Sequence, residues 1–196
     1  MTTVVIGAGS KIAQEFKKLV PASEQLVRGS LDFADSGVER YLICSGFLTG
    51  QLIGTQTHDQ MIESFTVNFI EVTKYCDAVF SRNENARVCV IGSESGYKGS
   101  YDMVYAGAKA ALHLYVETKN LSSGQQLVCI SPGIIEDAGM TTRRQDIEIL
   151  DNLRQSHPKG RFLKSAEVAK LAYFLFYEDE GYITNTVIRM HGGKRQ

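Results

Sequence analysis

Little in this chain pulls it towards a polyanion or a bilayer. Lysine and arginine number 21 against 22 aspartate and glutamate, and a net charge of −1 leaves no field for nucleic acid or an anionic membrane. No apolar run approaches the length of a membrane span, and the opening stretch reaches Gly7 too early for a secretory leader. A cytoplasmic protein without a membrane partner is expected. Cys44, Cys76, Cys89 and Cys129 are scattered, three of them in or beside apolar runs, which predicts reduced core thiols rather than disulfides or metal ligands. His58, His113, His157 and His191 show no ligand spacing, so no metal is expected. Repeats and linkers are lacking too. The 196 residues, 43% of them hydrophobic, read as one domain over 1–196 with a sizeable core.

What is present centres on one stretch. An apolar strand, Arg87–Ile91, delivers Ser93; twelve residues later Tyr105 opens an alanine-rich helix, with Lys109 four positions on. At 3.6 residues per turn the tyrosine and lysine share a helix face. A lysine ammonium there is expected to lower the phenol pKa from its reference near about 10, so that Tyr105 can exchange a proton with a carbonyl or alcohol oxygen. Ser93 can hydrogen-bond that same oxygen. The spacing alone is weak, because Tyr115 and Lys119 repeat it roughly 80° around the helix with no serine to serve them.

The chain around this stretch alternates strand and helix, which argues a parallel α/β sheet with both faces covered. Thr2 to Ile6 is a β-branched apolar run; it breaks at Gly7-Ala8-Gly9-Ser10 into a helix with Ile12, Phe16 and Leu19 on one face, ended by Pro21. Strand, glycine-rich turn and helix is a layout that cradles a pyrophosphate, although a plain structural turn reads the same way. Leu26-Val27 forms a brief second strand, Tyr41 to Gly46 a third, and Phe47 to Thr57 a loop. Helical periodicity returns with Met61, Phe65, Phe69 and Val72, and the Tyr105 helix extends to about Asn120. Gln126 to Ser131 is another buried strand ending in Pro132-Gly133. Ser165 caps a helix with Val168, Leu171, Ala172 and Leu175 inward, and Thr186 to Met190 is the last strand.

Ser93, the Tyr105–Lys109 pair with its following alanines, and the ending from His157-Pro158 to Gly192-Gly193 resemble the short-chain dehydrogenase/reductase family. The resemblance is strong from residue 59 onward and weak from about 7 to 57. It implies a Rossmann-like, doubly wound parallel sheet with helices on both faces. It also implies a catalytic set of Ser93, Tyr105, Lys109 and Asn68, the last in Thr66-Val67-Asn68-Phe69, where an Asn feeds a proton relay; a capped or exposed Asn is the plain alternative. The cofactor residues it implies are Gly7, Ser10, Lys11 and Ile12, then Arg28 and Asp32, then Ser45 and Gly46, then Tyr105 and Lys109, and finally Pro132, Gly133 and Ile135.

Several positions depart from the pattern. Lys11 and Ala13 stand where glycines are usual, Cys44 replaces an Asn, and Glu136-Asp137 replaces a threonine for which Thr141 or Thr142 can substitute. Residues between Arg28 and Gly46 are too few for full crossover helices, so that half of the sheet is expected to be trimmed. Lys11 with Arg28 favours NADP over NAD, against a solvated arginine. The polar 136–157 stretch occupies the place of a substrate lid, where Arg143 and Arg144 either meet an acidic substrate or are simply solvated. The resulting expectation is a homodimeric or homotetrameric NADP-dependent oxidoreductase acting on a small carbonyl or alcohol. A degenerate binding or sensing protein is the alternative from another class. An epimerase or dehydratase of the related extended group would need a larger C-terminal domain.

Overall fold

A computed structural model describes residues 2–27, 37–50 and 53–194. Six parallel strands form one sheet in the order β2-β1-β3-β4-β5-β6: β1 Thr2–Ile6, β2 Glu24–Leu26, β3 Val38–Ile43, β4 Arg87–Ile91, β5 Gln126–Pro132 and β6 Thr186–Met190. The central strands are largely apolar because both faces are covered, and the pleat divides them between two cores, whereas the edge strand β2 is mostly polar. Val4, Ile6, Tyr41, Ile43, Val88, Val90, Leu127 and Cys129 face one side, against α3 (Glu71–Phe80) and α5 (Met103–Thr118). Val5, Leu42, Cys89, Ile91, Val128 and Ile130 face the other, against α1 (Lys11–Leu19) and α8 (Ser165–Tyr177). Phe16 and Phe176 meet edge to face there at 6.1 Å. Fully burying each such side chain stabilises by roughly 1.5–3 kcal/mol, so packing rather than helix propensity holds these helices. All four cysteines are free and buried, as core thiols should be.

β2, only three residues long, is the outer strand beside β1, so this edge is thin. Arg28 and Asp32 lie outside the described residues. Beyond β3, α2 (His58–Phe65) begins at a Thr57–Gln60 capping box and runs into α3 through a π turn, Thr66–Ile70. The sequence periodicity gave no sign of that extra residue, which rotates Asn68 into the interior. Two helix ends also differ from expectation. α8 starts one residue early, capped from Lys164: the Lys164 amide donates to Glu167 Oε2 at 3.0 Å, and the Ser165 amide to Asp137 Oδ1 at 2.8 Å. Ser165 is therefore the first helical residue, not the cap. α5 stops at Thr118 because Asn185 Nδ2 takes the Val116 and Lys119 carbonyls, at 2.9 and 2.8 Å. Three further short helices follow the strands: α4 (Ser95–Lys98) after β4, and α6 (Gly139–Thr142) and α7 (Ile147–Gln155) after β5.

The β1–α1 turn fixes where the C-terminal edge of the sheet opens. Gly7 has φ +88°, and a Cβ there would meet Cys44 C and Ser45 N at 2.9 Å. Gly7→Ala is therefore expected to cost about 2 kcal/mol or more, from a left-handed residue and a backbone collision together. A lowered urea midpoint checks this; an unchanged midpoint would show that the turn relaxes freely.

Candidate active site

The C-terminal ends of the strands open into a cavity of about 530 Å³. This is where open α/β sheets take their ligands. β1 and α1 supply Gly7, Ser10, Lys11 and Ile12 to its wall; the end of β3 supplies Ser45 and Gly46. Ser93 comes from the end of β4, Tyr105 and Lys109 from α5, and Pro132, Gly133 and Ile135 from the end of β5. Every expected site residue within the described chain lines this one cavity except Asn68.

Asn68 stands behind the wall. It is fully buried, with Nδ2 donating to the Phe47 and Ser64 carbonyls at 2.6 and 2.8 Å and Oδ1 accepting from the Phe47 amide at 3.2 Å. Both polar ends are thus spent on backbone, as burial requires. A π turn is a common way to aim one side chain at such a task. Asn68 fixes the loop after β3 rather than projecting into the cavity.

Asp102, which sequence reasoning missed, holds the same loop. Its Oδ1 accepts from the Tyr105 amide at 3.0 Å, capping α5; its Oδ2 accepts from Thr49 Oγ1 at 2.8 Å and from the Thr49 amide at 3.3 Å. One fully buried carboxylate thereby ties the start of the Tyr105 helix to the cavity wall. An Asp three residues before Tyr105 is a readable cap signal.

The electrostatics depart from expectation at the tyrosine. Burial raises the Tyr105 phenol above its ordinary value; the hydrogen bond with Ser93 pulls it down, while Asp102 and Tyr101 push it up. The net shift is thus upward, opposite to the depression expected from Lys109, whose ammonium is engaged by a backbone carbonyl. Lys109 Nζ donates to the Ile91 carbonyl at 2.9 Å and lies 5.8 Å from the Tyr105 ring centre. Burial drives Lys109 down to about 8. The Cys44 thiol beside the cavity is pushed up to about 12 by burial, so it stays a thiol.

The second tyrosine–lysine pair has a different fate. Tyr115 Oη and Lys119 Nζ both donate to Asp77 Oδ1 at 2.6 Å, on the outer surface between α3 and α5. Asp137 is likewise diverted: it serves the first turn of α8, leaving Thr141 on the cavity wall. Arg144 pairs with Asp146, whereas Arg143 donates to the Gly139 carbonyl at 2.8 Å; both border the cavity. Among the described residues no His, Cys, Asp and Glu cluster could hold a metal.

These walls fit a dinucleotide. The first turn passes within backbone contact of Cys44 and Ser45, α1 begins at the rim, and Lys11, paired with Glu15 at 3.3 Å, lines the cavity.

A family model described as Enoyl-(Acyl carrier protein) reductase matches residues 38–195. The chain belongs to the short-chain dehydrogenase/reductase family. Among curated relatives it is 28% identical over 156 residues to the 3-oxoacyl-[acyl-carrier-protein] reductase FabG of Chlamydia trachomatis, covering 76% of this chain and 62% of that protein. The chain thus spans less than two thirds of that relative. A short-chain dehydrogenase/reductase from Brucella melitensis superposes with a TM-score of 0.87 at 18% identity, over 100% of this chain and 96% of that one. A 3-oxoacyl (acyl-carrier-protein) reductase from Agrobacterium tumefaciens, with NADP bound, superposes with a TM-score of 0.80 at 18% identity, over 98% and 93%. At such identities the superpositions speak for the fold, and the family's sheet is the one found here.

The low Lys109 pKa has a consequence for stability. Its folded value, about 8, lies below its ordinary 10.5, so between the two the folded chain binds fewer protons than the unfolded one. Stability contributed by this group therefore rises with pH across that window and is lowest below it. The parental protein is expected to gain on a Lys109→Met variant between about pH 8 and 10, by up to about 3 kcal/mol. Urea midpoints of both at each pH decide it; parallel curves would mean that Lys109 titrates as an exposed lysine.

Proposed function

We infer that the protein reduces a small carbonyl compound with NADPH, or oxidises the corresponding alcohol with NADP. The single observation that carries this reading is the convergence of Ser93, Tyr105 and Lys109 on one cavity whose opposite wall is the β1–α1 turn. A bound nicotinamide cofactor supplies or takes up the hydride. In this reading Gly7, Ser10, Lys11 and Ile12 take the pyrophosphate end, Ser45 and Gly46 the adenosine side, and Pro132, Gly133 and Ile135 the nicotinamide end. Arg28 takes the 2′-phosphate and Asp32 meets the adenine.

Tyr105 Oη donates its proton to the substrate oxygen during reduction and recovers it during oxidation. Ser93 Oγ, already hydrogen-bonded to that phenol, orients the oxygen. Lys109 stays charged below about pH 8, holds the ribose, and moves towards the phenol when it exchanges the Ile91 carbonyl for that partner. Asn68 supports the reaction by fixing the Phe47 backbone that walls the site. The 136–157 segment closes over the substrate. The name of the FabG relative makes short 3-oxoacyl thioesters the first substrates to try.

The reading includes a cytoplasmic location, where the four thiols stay reduced. No helix among the described residues is long and apolar enough to cross a membrane. It also includes a homodimer or homotetramer formed through the α2–α3 and α5 surfaces, where Ile62, Ile70 and Leu114 stand exposed.

Calorimetric titration with NADPH and NADH, followed by turnover of acetoacetyl-CoA and a carbonyl panel, tests the reading. Tyr105→Phe is expected to cut turnover by at least a hundredfold while NADPH affinity stays within about threefold, since only the proton donor is lost. Retained turnover would remove Tyr105 from the mechanism, and tight nucleotide binding without any turnover would favour a sensing role. Arg28→Ala is expected to weaken NADPH at least tenfold and NADH by less than twofold. Equal losses would mean that Arg28 does not read the phosphate.

A further inference from the structure

Glu94 follows Ser93 directly, yet its side chain is buried among groups with no part in the proposed chemistry. Arg189 of β6 grips it with two nitrogens: Nε donates to Oε1 at 3.0 Å and Nη2 to Oε2 at 2.6 Å. Ser131 Oγ of β5 donates to Oε1 at 3.3 Å. The Glu94 amide meanwhile donates to the Pro132 carbonyl at 2.9 Å, on the loop expected to meet the nicotinamide. One residue thus links the serine turn to the ends of two neighbouring strands. Glu94 is only 4% exposed, while the Arg189 side chain keeps 32% of its surface in solvent; a two-point grip of this kind on a buried carboxylate is geometrically demanding.

The far side of the turn is closed as well. The Arg189 guanidinium lies 4.1 Å over the Tyr97 ring, and that ring lies against His113 at 4.7 Å. His113 fills the space between Gly92 and Gly96: a Cβ would meet Nε2 at 2.7 Å at the first and Cε1 at 2.6 Å at the second. Among the described residues neither His113 ring nitrogen has a hydrogen-bond partner, and the imidazole fills the space the two glycines leave. Glu94, Arg189, Tyr97 and His113 form a chain of contacts along the turn that presents Ser93. Within the turn, Ser93 Oγ accepts from the Ser95 amide at 3.1 Å, and its carbonyl accepts from the Gly96 amide at 3.0 Å.

We propose that Glu94 is a positioning residue: through Arg189 and Ser131 it holds the Ser93 turn at a set distance from the Pro132–Gly133 loop. Its consequence for catalysis rests on the functional reading above. The set distance keeps the serine hydroxyl in register with the Pro132–Gly133 loop that would hold the nicotinamide end, and a displacement of about an ångström there is costly.

Glu94→Gln keeps size and one acceptor oxygen but breaks the two-point grip, and Arg189→Met breaks it from the other end. Arg161→Met serves as the control, because Arg161 makes an equally two-pronged pair with Glu167, at 2.7 and 2.8 Å, far from this turn. Amide hydrogen exchange in the full-length protein is expected to quicken at least tenfold at Glu94, Ser95 and Gly96 in both variants. In β1 and β3 it stays within twofold, and the control stays within twofold everywhere outside α8. With acetoacetyl-CoA as the probe, kcat per bound NADPH falls at least tenfold, while KM and the NADPH Kd stay within threefold. Unchanged exchange at the three amides overturns the proposal. Exchange that quickens uniformly across the sheet also overturns it, since that marks a general stabilising pair. If the parental protein binds NADPH but turns over no probe, the functional reading falls by itself, and the exchange measurements alone decide the tether.

Discussion

A buried ammonium on a strand-end carbonyl organises this molecule. Lys109 sits almost without solvent and holds the Ile91 carbonyl at 2.9 Å. Burying a lysine is costly, and the lowered pKa of the group measures that cost. The contact ties the centre of α5 to Ile91, the last residue of β4, two positions before Ser93. Tyr105, one helical turn earlier, is thereby carried to the same spot. A neutral side chain at this position would be cheaper to bury, but it would leave the Ile91 carbonyl without this donor.

Around this contact, polar side chains fix backbone rather than reach for ligand. Asn68 holds Phe47 and Asp102 holds Thr49, so the loop after β3 is pinned at two points from two different helices. Glu94 does the same work on the other side of Tyr105, between β4, β5 and β6. Asp137 turns from the cavity to the amide of Ser165. All three carboxylates lie near a cavity whose remaining charged groups are basic, and each is spent on an amide, a hydroxyl or an arginine. An anionic ligand therefore meets few free negative charges.

The helix and strand pattern was open to reading because the central strands are largely apolar on both faces and the helices on one. Ser93, Tyr105 and Lys109 were equally open, since four residues is one helical turn whatever surrounds it. Tyr115 and Lys119 satisfied the same spacing, and only the packing of α3 against α5 brings Asp77 to them and removes them from chemistry. The π turn at Asn68 left no mark in the periodicity, because one inserted residue is smaller than the scatter of apolar positions along a helix. Asp102 carried a cap signal, but its grip on Thr49 joins residues 53 positions apart.

By itself the sequence determined the parallel α/β sheet and the two-sided core, because these depend on local periodicity; Ser93, Tyr105 and Lys109 stood out through the family resemblance added to their spacing. The tertiary structure alone decided which groups face which. It turned Lys109 to a carbonyl, raised the phenol it was expected to lower, paired Glu94 with Arg189 from the last strand, and set Asn68 behind the wall. Each of these depends on burial and on contacts between distant strands and helices, and neither quantity exists until the sheet has closed.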